Sequence, residues 1–271
     1  MTATPWQEAS DLLTLLAAKP RFGFVSDLDG TLAPIAPTPD AAHISARARQ
    51  LLAALRAELP LVALVSGRRA ESLAAKVDLP GIVYVGNHGL ERWADGKTTV
   101  LPQALPYLPH LQAVRAELRA LEEDGVFVED KEATLSFHYR QAANPEAFAE
   151  RKRAHIANLV KAHGLVLFEG KRVFEVRPPI EMDKGIAFQQ LVAEHRLEAA
   201  LFVGDDISDL NALAMARRLR EESVCDAWGV GVQSPDAPPG LAGTADFLAA
   251  GVPDVEELLS RLLSARKASS T

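Results

Sequence analysis

The chain has 271 residues, 48% of them hydrophobic and 24% charged, with a formal net charge of -7. This composition suits a globular protein with a sizeable core, and the acidic balance gives no support to a surface built to track nucleic-acid phosphates while leaving room for a local anion pocket. A single cysteine, Cys225, excludes an intrachain disulfide and a thiolate metal cage, the seven histidines lack H-x-x-x-H spacing, and no apolar run reaches the roughly 20 residues of a membrane span. With no basic-then-apolar leader at the start, we expect a cytoplasmic protein with no nucleic-acid or membrane partner.

Helical spacing of Leu12, Leu13, Leu15 and Leu16 predicts a lead-in helix over residues 6–19. A first strand over 22–27 runs into a Pro-rich loop with Pro34, Pro37 and Pro39, where no helix can continue. A helix over 45–58, with Ser45 as N-cap, precedes an unbroken apolar run at 61–65. Continuous rather than alternating apolarity implies a strand buried on both faces, as in a parallel sheet flanked by helices. A helix over 69–77 and a third strand over 82–85 complete three βα-type units, each with polar residues at the strand's C-terminal end.

After Leu101 the rhythm changes. A helix over 111–123, strands at 126–129 and 134–139, a helix over 145–163 and a hairpin at 165–169 and 173–177 with a Gly170-Lys171 turn make an αββαββ unit. Arg177-Pro178-Pro179 is a stiff exit from it. From Asp183 the βα rhythm returns: a helix to about 195, a strand over 200–203 ending in Gly204-Asp205-Asp206, and a helix from about 208. Edge strands at 230–232 and 246–248 and a helix over 253–263 follow, with an unstructured tail after Arg266. The expected fold is α/β, a Rossmann-like doubly wound parallel-sheet core (1–102 and 181–271) with an inserted α+β cap domain (103–180).

Asp27 and Asp29 lie two apart at the end of the first strand, where extended backbone turns both side chains to one side. Alone, that spacing also fits an ordinary Asp-Gly turn. Ser66, Lys184 and Asp205/Asp206 add polar groups at three further strand ends or helix starts. A lysine in a helix's first turn opposes the helix dipole, so Lys184 calls for a nearby anion.

These four segments, D-L-D-G-T at 27–31, Ser66, Lys184 and G-D-D-I-S-D at 204–209, resemble the haloacid dehalogenase-like phosphohydrolase superfamily over about residues 20–90 and 183–265. The resemblance implies that Asp27 is a nucleophile passing through an aspartyl-phosphate and that Asp29 is the acid/base group. It further implies that Ser66 and Lys184, with Gly67 allowing close backbone approach, hold the phosphoryl oxygens. It implies a magnesium ion on Asp27, the Asp29 carbonyl and Asp205, with Asp206 and Asp209 as nearby candidates. The cap is expected to close over the site and exclude water.

Ser66-Gly67-Arg68, Gly86-Asn87-His88-Gly89-Leu90-Glu91, Glu129-Asp130-Lys131, the F-H-Y-R at 137–140 and Val173-Phe174-Glu175-Val176-Arg177-Pro178 make the chain similar to the trehalose-6-phosphate phosphatase family. That implies hydrolysis of the disaccharide monophosphate to trehalose and inorganic phosphate; we expect a monomer. Arg68, Asn87 and His88 would line the active site, and Glu129, Lys131 and Glu175 would bind glucose rings. Polar residues elsewhere on the cap strands, Asp130, His138, Arg140, Glu169, Lys171 and Arg177, suit a hydroxyl-rich ligand as well. Leu210 stands where that family commonly carries Glu, which keeps phosphatases of sucrose phosphate or glucosylglycerate phosphate as alternatives, with a non-catalytic sugar-phosphate sensor as a further one.

Overall fold

The unbroken apolar runs have a direct structural counterpart: Phe22–Ser26, Leu61–Val65 and Ala199–Gly204 are buried along their whole lengths. They are central strands in a computed structural model that describes residues 3–36, 41–94, 96–170 and 172–269. Pro37 and Pro39 of the Pro-rich loop, and Lys171 of the cap hairpin turn, lie outside the described residues. The chain divides into two compact units, Met1–Thr98 with Met182–Thr271, and Thr99–Glu181.

In chain order the elements are β1 (Thr4–Pro5), α1 (Ser10–Ala18), β2 (Phe22–Ser26), α2 (Ala46–Glu58), β3 (Leu61–Val65), α3 (Ala70–Val77), β4 (Val83–Gly86), β5 (Glu91–Ala94) and β6 (Lys97–Val100). Then come α4 (Leu108–Arg119), β7 (Phe127–Asp130), β8 (Leu135–His138), α5 (Pro145–Ala162), β9 (Val166–Gly170) and β10 (Val173–Arg177). The chain finishes with α6 (Lys184–Glu194), β11 (Ala199–Gly204), α7 (Leu210–Glu221), β12 (Asp226–Val232), α8 (Leu241–Thr244), β13 (Phe247–Ala249) and α9 (Val252–Ser269).

Among the described residues the first unit is built on a sheet of order β1-β13-β12-β11-β2-β3-β4-β5-β6. From β1 to β4 every pairing is parallel, and β5 joins β4 antiparallel. Alternate residues of the central strands enter two cores. Phe22, Phe24, Val62 and Leu64 pack with α1, α2, α3 and α9, whereas Val25, Ala63, Val65 and Phe202 pack with α6 and α7. Helices on both faces make the sheet doubly wound, as the sequence led us to expect.

The direction of winding reverses at β2. From there the chain moves outward through β3 and β4, then returns to add β11, β12 and β13 on the other side. Ligands of such sheets bind beyond the carboxyl ends of the strands flanking the reversal. Here those are the ends of β2 and β11, which Asp27 and Asp205 follow directly.

The second unit carries a four-stranded antiparallel sheet of order β7-β8-β10-β9, with α4 and α5 supplying its own core through Leu111, Val114, Phe148 and Ile156. Among the described residues no helix is long and apolar enough to cross a membrane.

Four local expectations need correction. The strands expected at the sheet edge, now β12 and β13, lie inside it, because β1 pairs with β13 on its far side. The tail after Arg266 is helical to Ser269, because Ala and Lys favour helix and the Arg266 guanidinium donates to the carbonyl of Lys19 at 3.0 Å and of Glu58 at 3.2 Å. The β5–β6 hairpin went unforeseen, as its polar residues mask a strand held by the Trp93 ring against Tyr84, 5.9 Å between centroids. The helix expected at 111–123 starts and ends earlier, at Leu108–Arg119, with Pro109 in its first turn, where a missing N–H costs nothing.

Candidate active site

Asp27 leaves the end of β2 with its backbone N–H donating to the carbonyl of Val203, 2.9 Å away on β11. That bond carries the β2–β11 ladder one residue past the strand and fixes Asp27 beside the start of the Asp205 loop. Gly30 then turns back with φ +82°, and a Cβ there would lie 2.1 Å from Asp205 Oδ2. Only glycine meets both demands. Thr31 follows, its hydroxyl donating to Asp205 Oδ1 at 2.8 Å, which ties the two loops together.

Lys184 opens α6 after Asp183, whose side chain caps the helix by accepting from the Ile186 N–H at 2.9 Å. The Lys184 ammonium is 2.9 Å from Asp27 Oδ1 and 2.7 Å from Asp209 Oδ1, and all three side chains are buried. The anion that a first-turn lysine needs is thus supplied twice over. Asp209 is itself fixed, accepting from the N–H groups of Asp205 at 3.1 Å and Asp206 at 3.0 Å.

The electrostatics follow from burial. Desolvation pushes Asp27 well above the usual carboxylate range; Lys184 opposes this, while Asp209, Asp205 and Asp29 add to it. Desolvation also pushes Asp205 up to about 7, reinforced by Asp209 and opposed by the Thr31 hydrogen bond and Lys184. Burial works against the Lys184 charge, but Asp209 and Asp27 outweigh it and hold the ammonium above the ordinary lysine range.

Asp27, Asp205 and Asp209 converge, with one carboxylate oxygen from each within 4.8 Å of the others. Three buried oxygen donors with one ammonium among them form a hard, anionic set suited to magnesium or calcium rather than to a soft metal. Asp206 is not part of this group. It is exposed, and its carboxylate accepts from the Ile207 N–H at 2.7 Å, capping the short turn Ile207–Asp209. Asp209 converges instead, and the D-D-x-x-D spacing is the signal for it: one turn brings the third acid back to the first.

Asp29 points elsewhere, its carboxylate receiving a fork from Arg68 with Nε–Oδ2 at 2.5 Å and Nη2–Oδ1 at 2.7 Å. Ser66, buried at the end of β3, donates its N–H to Val85 and takes the Arg68 N–H on its hydroxyl at 3.2 Å. Asn87 and His88 follow β4 in left-handed backbone, φ 48° and 56°. Their N–H groups donate to the carbonyls of Arg68 at 2.8 Å and Ser66 at 3.0 Å, so this turn holds the Ser66–Arg68 loop. A Cβ on Gly67 would lie 2.7 Å from the His88 ring, so a larger residue there would displace that ring.

Sequence reasoning missed Glu91. It is buried and accepts the Ala70 N–H at 2.5 Å, anchoring the start of α3 just beyond Arg68. Its place in the G-N-H-G-L-E run, four residues after Asn87, was the available signal. In the second unit, Glu129 lies on β7 and Glu175 on β10, directly across β8 from one another through Ser136. Lys131 follows β7 with its ammonium 4.0 Å from Glu129 Oε2.

The family model for trehalose-phosphatase matches residues 25–230. Over 205 residues the chain is 36% identical to a trehalose-phosphate phosphatase of Mycobacterium marinum, an overlap covering 71% of this chain and 51% of the relative. The chain spans about half the length of the curated relatives it matches. In fold it is similar to the C-terminal domain of a C. albicans trehalose-6-phosphate phosphatase, with a TM-score of 0.77 and 20% identity over 97% of this chain and 98% of that one. A crystal structure of a trehalose-6-phosphate phosphatase related protein gives a TM-score of 0.74 and 21% identity over 90% of this chain and all of the other. A match across three quarters of the chain that contains every core-unit group described above leads to one conclusion: the chain belongs to the trehalose-phosphatase family.

Proposed function

We propose that the chain is a magnesium-dependent phosphatase that hydrolyses trehalose 6-phosphate to trehalose and inorganic phosphate. The observation that carries this reading is the buried Asp27–Lys184–Asp209 cluster at the sheet's reversal point, in a chain of this family. A lysine locked between two acids presents a fixed positive charge to a phosphoryl group, and the acid beside it is a nucleophile of the right kind.

In the first step an Asp27 carboxylate oxygen attacks phosphorus and the bond from phosphorus to the sugar oxygen breaks. Asp29, out of the Arg68 fork and carrying a proton, gives it to that oxygen, and trehalose leaves. In the second step Asp29 takes a proton from water as the water oxygen attacks the phosphoryl group. The bond to Asp27 breaks, which returns both carboxyls to their starting forms. Lys184 and Ser66 hold phosphoryl oxygens throughout, and the Asn87–His88 turn keeps Ser66 and Arg68 in position. Magnesium, held by Asp27, Asp205 and Asp209 together with the Asp29 carbonyl, would supply the positive charge that lets these carboxylates stay ionised near the phosphoryl group.

We assign the chemistry to residues 1–102 with 181–271, and recognition of the sugar to a cap domain at 103–180 through Glu129, Lys131 and Glu175. We take the enzyme to be a cytoplasmic monomer. Phosphate release across a panel of trehalose 6-phosphate, sucrose 6-phosphate, glucosylglycerate phosphate and glucose 6-phosphate tests the reading, with magnesium and with a chelator. Preferred turnover of trehalose 6-phosphate that stops in chelator is expected. Equal turnover of glucose 6-phosphate overturns the disaccharide assignment, and activity in chelator overturns the metal.

A further inference from the structure

Strand alternation gives the sheet of the second unit two faces. Leu135, Phe137, Phe174 and Val176 turn into its core and are fully buried, which puts Phe127, Glu129, His138, Phe168, Glu175 and Arg177 on the other face. Phe127 and Phe168 stand out on that face, 47% and 48% exposed. Large aromatic rings are costly to leave in water, so a position that keeps one there asks for a purpose.

Each ring supports a planar group that in turn holds a glutamate. The His138 imidazole stacks on Phe127 with centroids 4.9 Å apart and planes at 26°, and its Nε2 lies 2.8 Å from Glu129 Oε2. The Arg177 guanidinium lies over Phe168, 4.8 Å from the ring centre, and donates to Glu175 Oε2 from Nε at 3.0 Å and also from Nη2. The two arrangements share no residue, and the two glutamates they hold occupy one cross-strand row.

We propose that Phe127 with His138, and Phe168 with Arg177, are positioning pairs that preset the carboxylates of Glu129 and Glu175 for the hydroxyls of the disaccharide. The inference rests on the reading that this unit recognises the sugar. A glutamate on an open sheet face otherwise samples several rotamers, and ordering it on binding costs affinity. A planar donor pressed against an aromatic face has few orientations left, so the carboxylate it holds is fixed before the sugar arrives. A leucine would offer similar bulk but no flat face carrying a quadrupole, which explains the residue type.

The test compares Phe168→Leu and Phe168→Tyr with the parent enzyme, using trehalose 6-phosphate and p-nitrophenyl phosphate, which has no sugar. Phe168→Leu should raise KM for trehalose 6-phosphate about tenfold with kcat within about twofold, lowering the preference over p-nitrophenyl phosphate to the same extent, while Phe168→Tyr keeps the parent's values. Phe127→Leu and Phe127→Tyr should repeat the pattern. Leucine variants with the parent's KM, an equal loss on both substrates, or tyrosine variants as impaired as leucine overturn the inference. A parent enzyme inactive on trehalose 6-phosphate overturns the functional reading itself, and the inference with it.

Discussion

Arg68 grips Asp29 with a two-pronged guanidinium fork, 2.5 and 2.7 Å, from a loop that Asn87 and His88 hold through their backbone N–H groups. A planar fork on a carboxylate fixes both its place and its plane, which a lysine cannot do. Arg68→Lys should therefore lower kcat/KM on trehalose 6-phosphate by tenfold or more, mostly in kcat, because Asp29 no longer returns to one fixed place and plane between turnovers. Steady-state kinetics check this, and parent-like kcat in the variant would remove Arg68 from that role.

Lys184 is buried between Asp27 and Asp209, so removing its charge leaves two carboxylates facing each other in a dry site. Breaking such a cluster on one side costs about 3–5 kcal/mol. Lys184→Met should show that loss in urea unfolding at neutral pH in chelator, along with lost turnover. A variant as stable as the parent would contradict the account of the cluster.

Without metal, Asp205 should make stability depend on pH. Its folded pKa, about 7, lies above its ordinary value near 3.8, so the folded protein holds this proton more tightly than the unfolded chain does. The contribution is fully present below about 3.8 and is lost as pH rises through about 7. In chelator the melting temperature of the parent should therefore fall more steeply between pH 5 and about 8 than that of Asp205→Asn. Parallel curves would refute the assignment.

Gly30 combines φ +82° with a Cβ position only 2.1 Å from the Asp205 carboxylate. Gly30→Ala should cost about 2 kcal/mol of stability and displace Asp205, cutting activity by more than tenfold. Thermal unfolding and phosphate release measure the two effects separately, and unchanged values in both would show that the loop yields freely.

Much of this was legible in the sequence, for identifiable reasons. Phe22–Ser26, Leu61–Val65 and Ala199–Gly204 are buried on both sides, so their apolarity is continuous and reads without ambiguity. Ser45 was readable as an N-cap because capping is local, and its hydroxyl accepts the Ala48 N–H at 2.9 Å. The demand of Lys184 for an anion was likewise a local argument from the helix dipole. The Arg68–Asp29 fork was not legible, since 39 residues separate the partners and only tertiary packing decides where a long guanidinium points. The β5–β6 hairpin escaped for a related reason: Arg92 is tied to Glu194 of α6, so part of what holds that strand lies about a hundred residues away.

Asp27 is the residue on which the proposed chemistry turns. Phosphate released from trehalose 6-phosphate with magnesium should be compared between the purified chain and Asp27→Asn, which keeps the shape of the side chain while removing its nucleophilic charge. Sustained release by the parent and a loss of about a thousandfold or more in the variant are expected. Release by Asp27→Asn at the parent's rate would contradict the proposed chemistry.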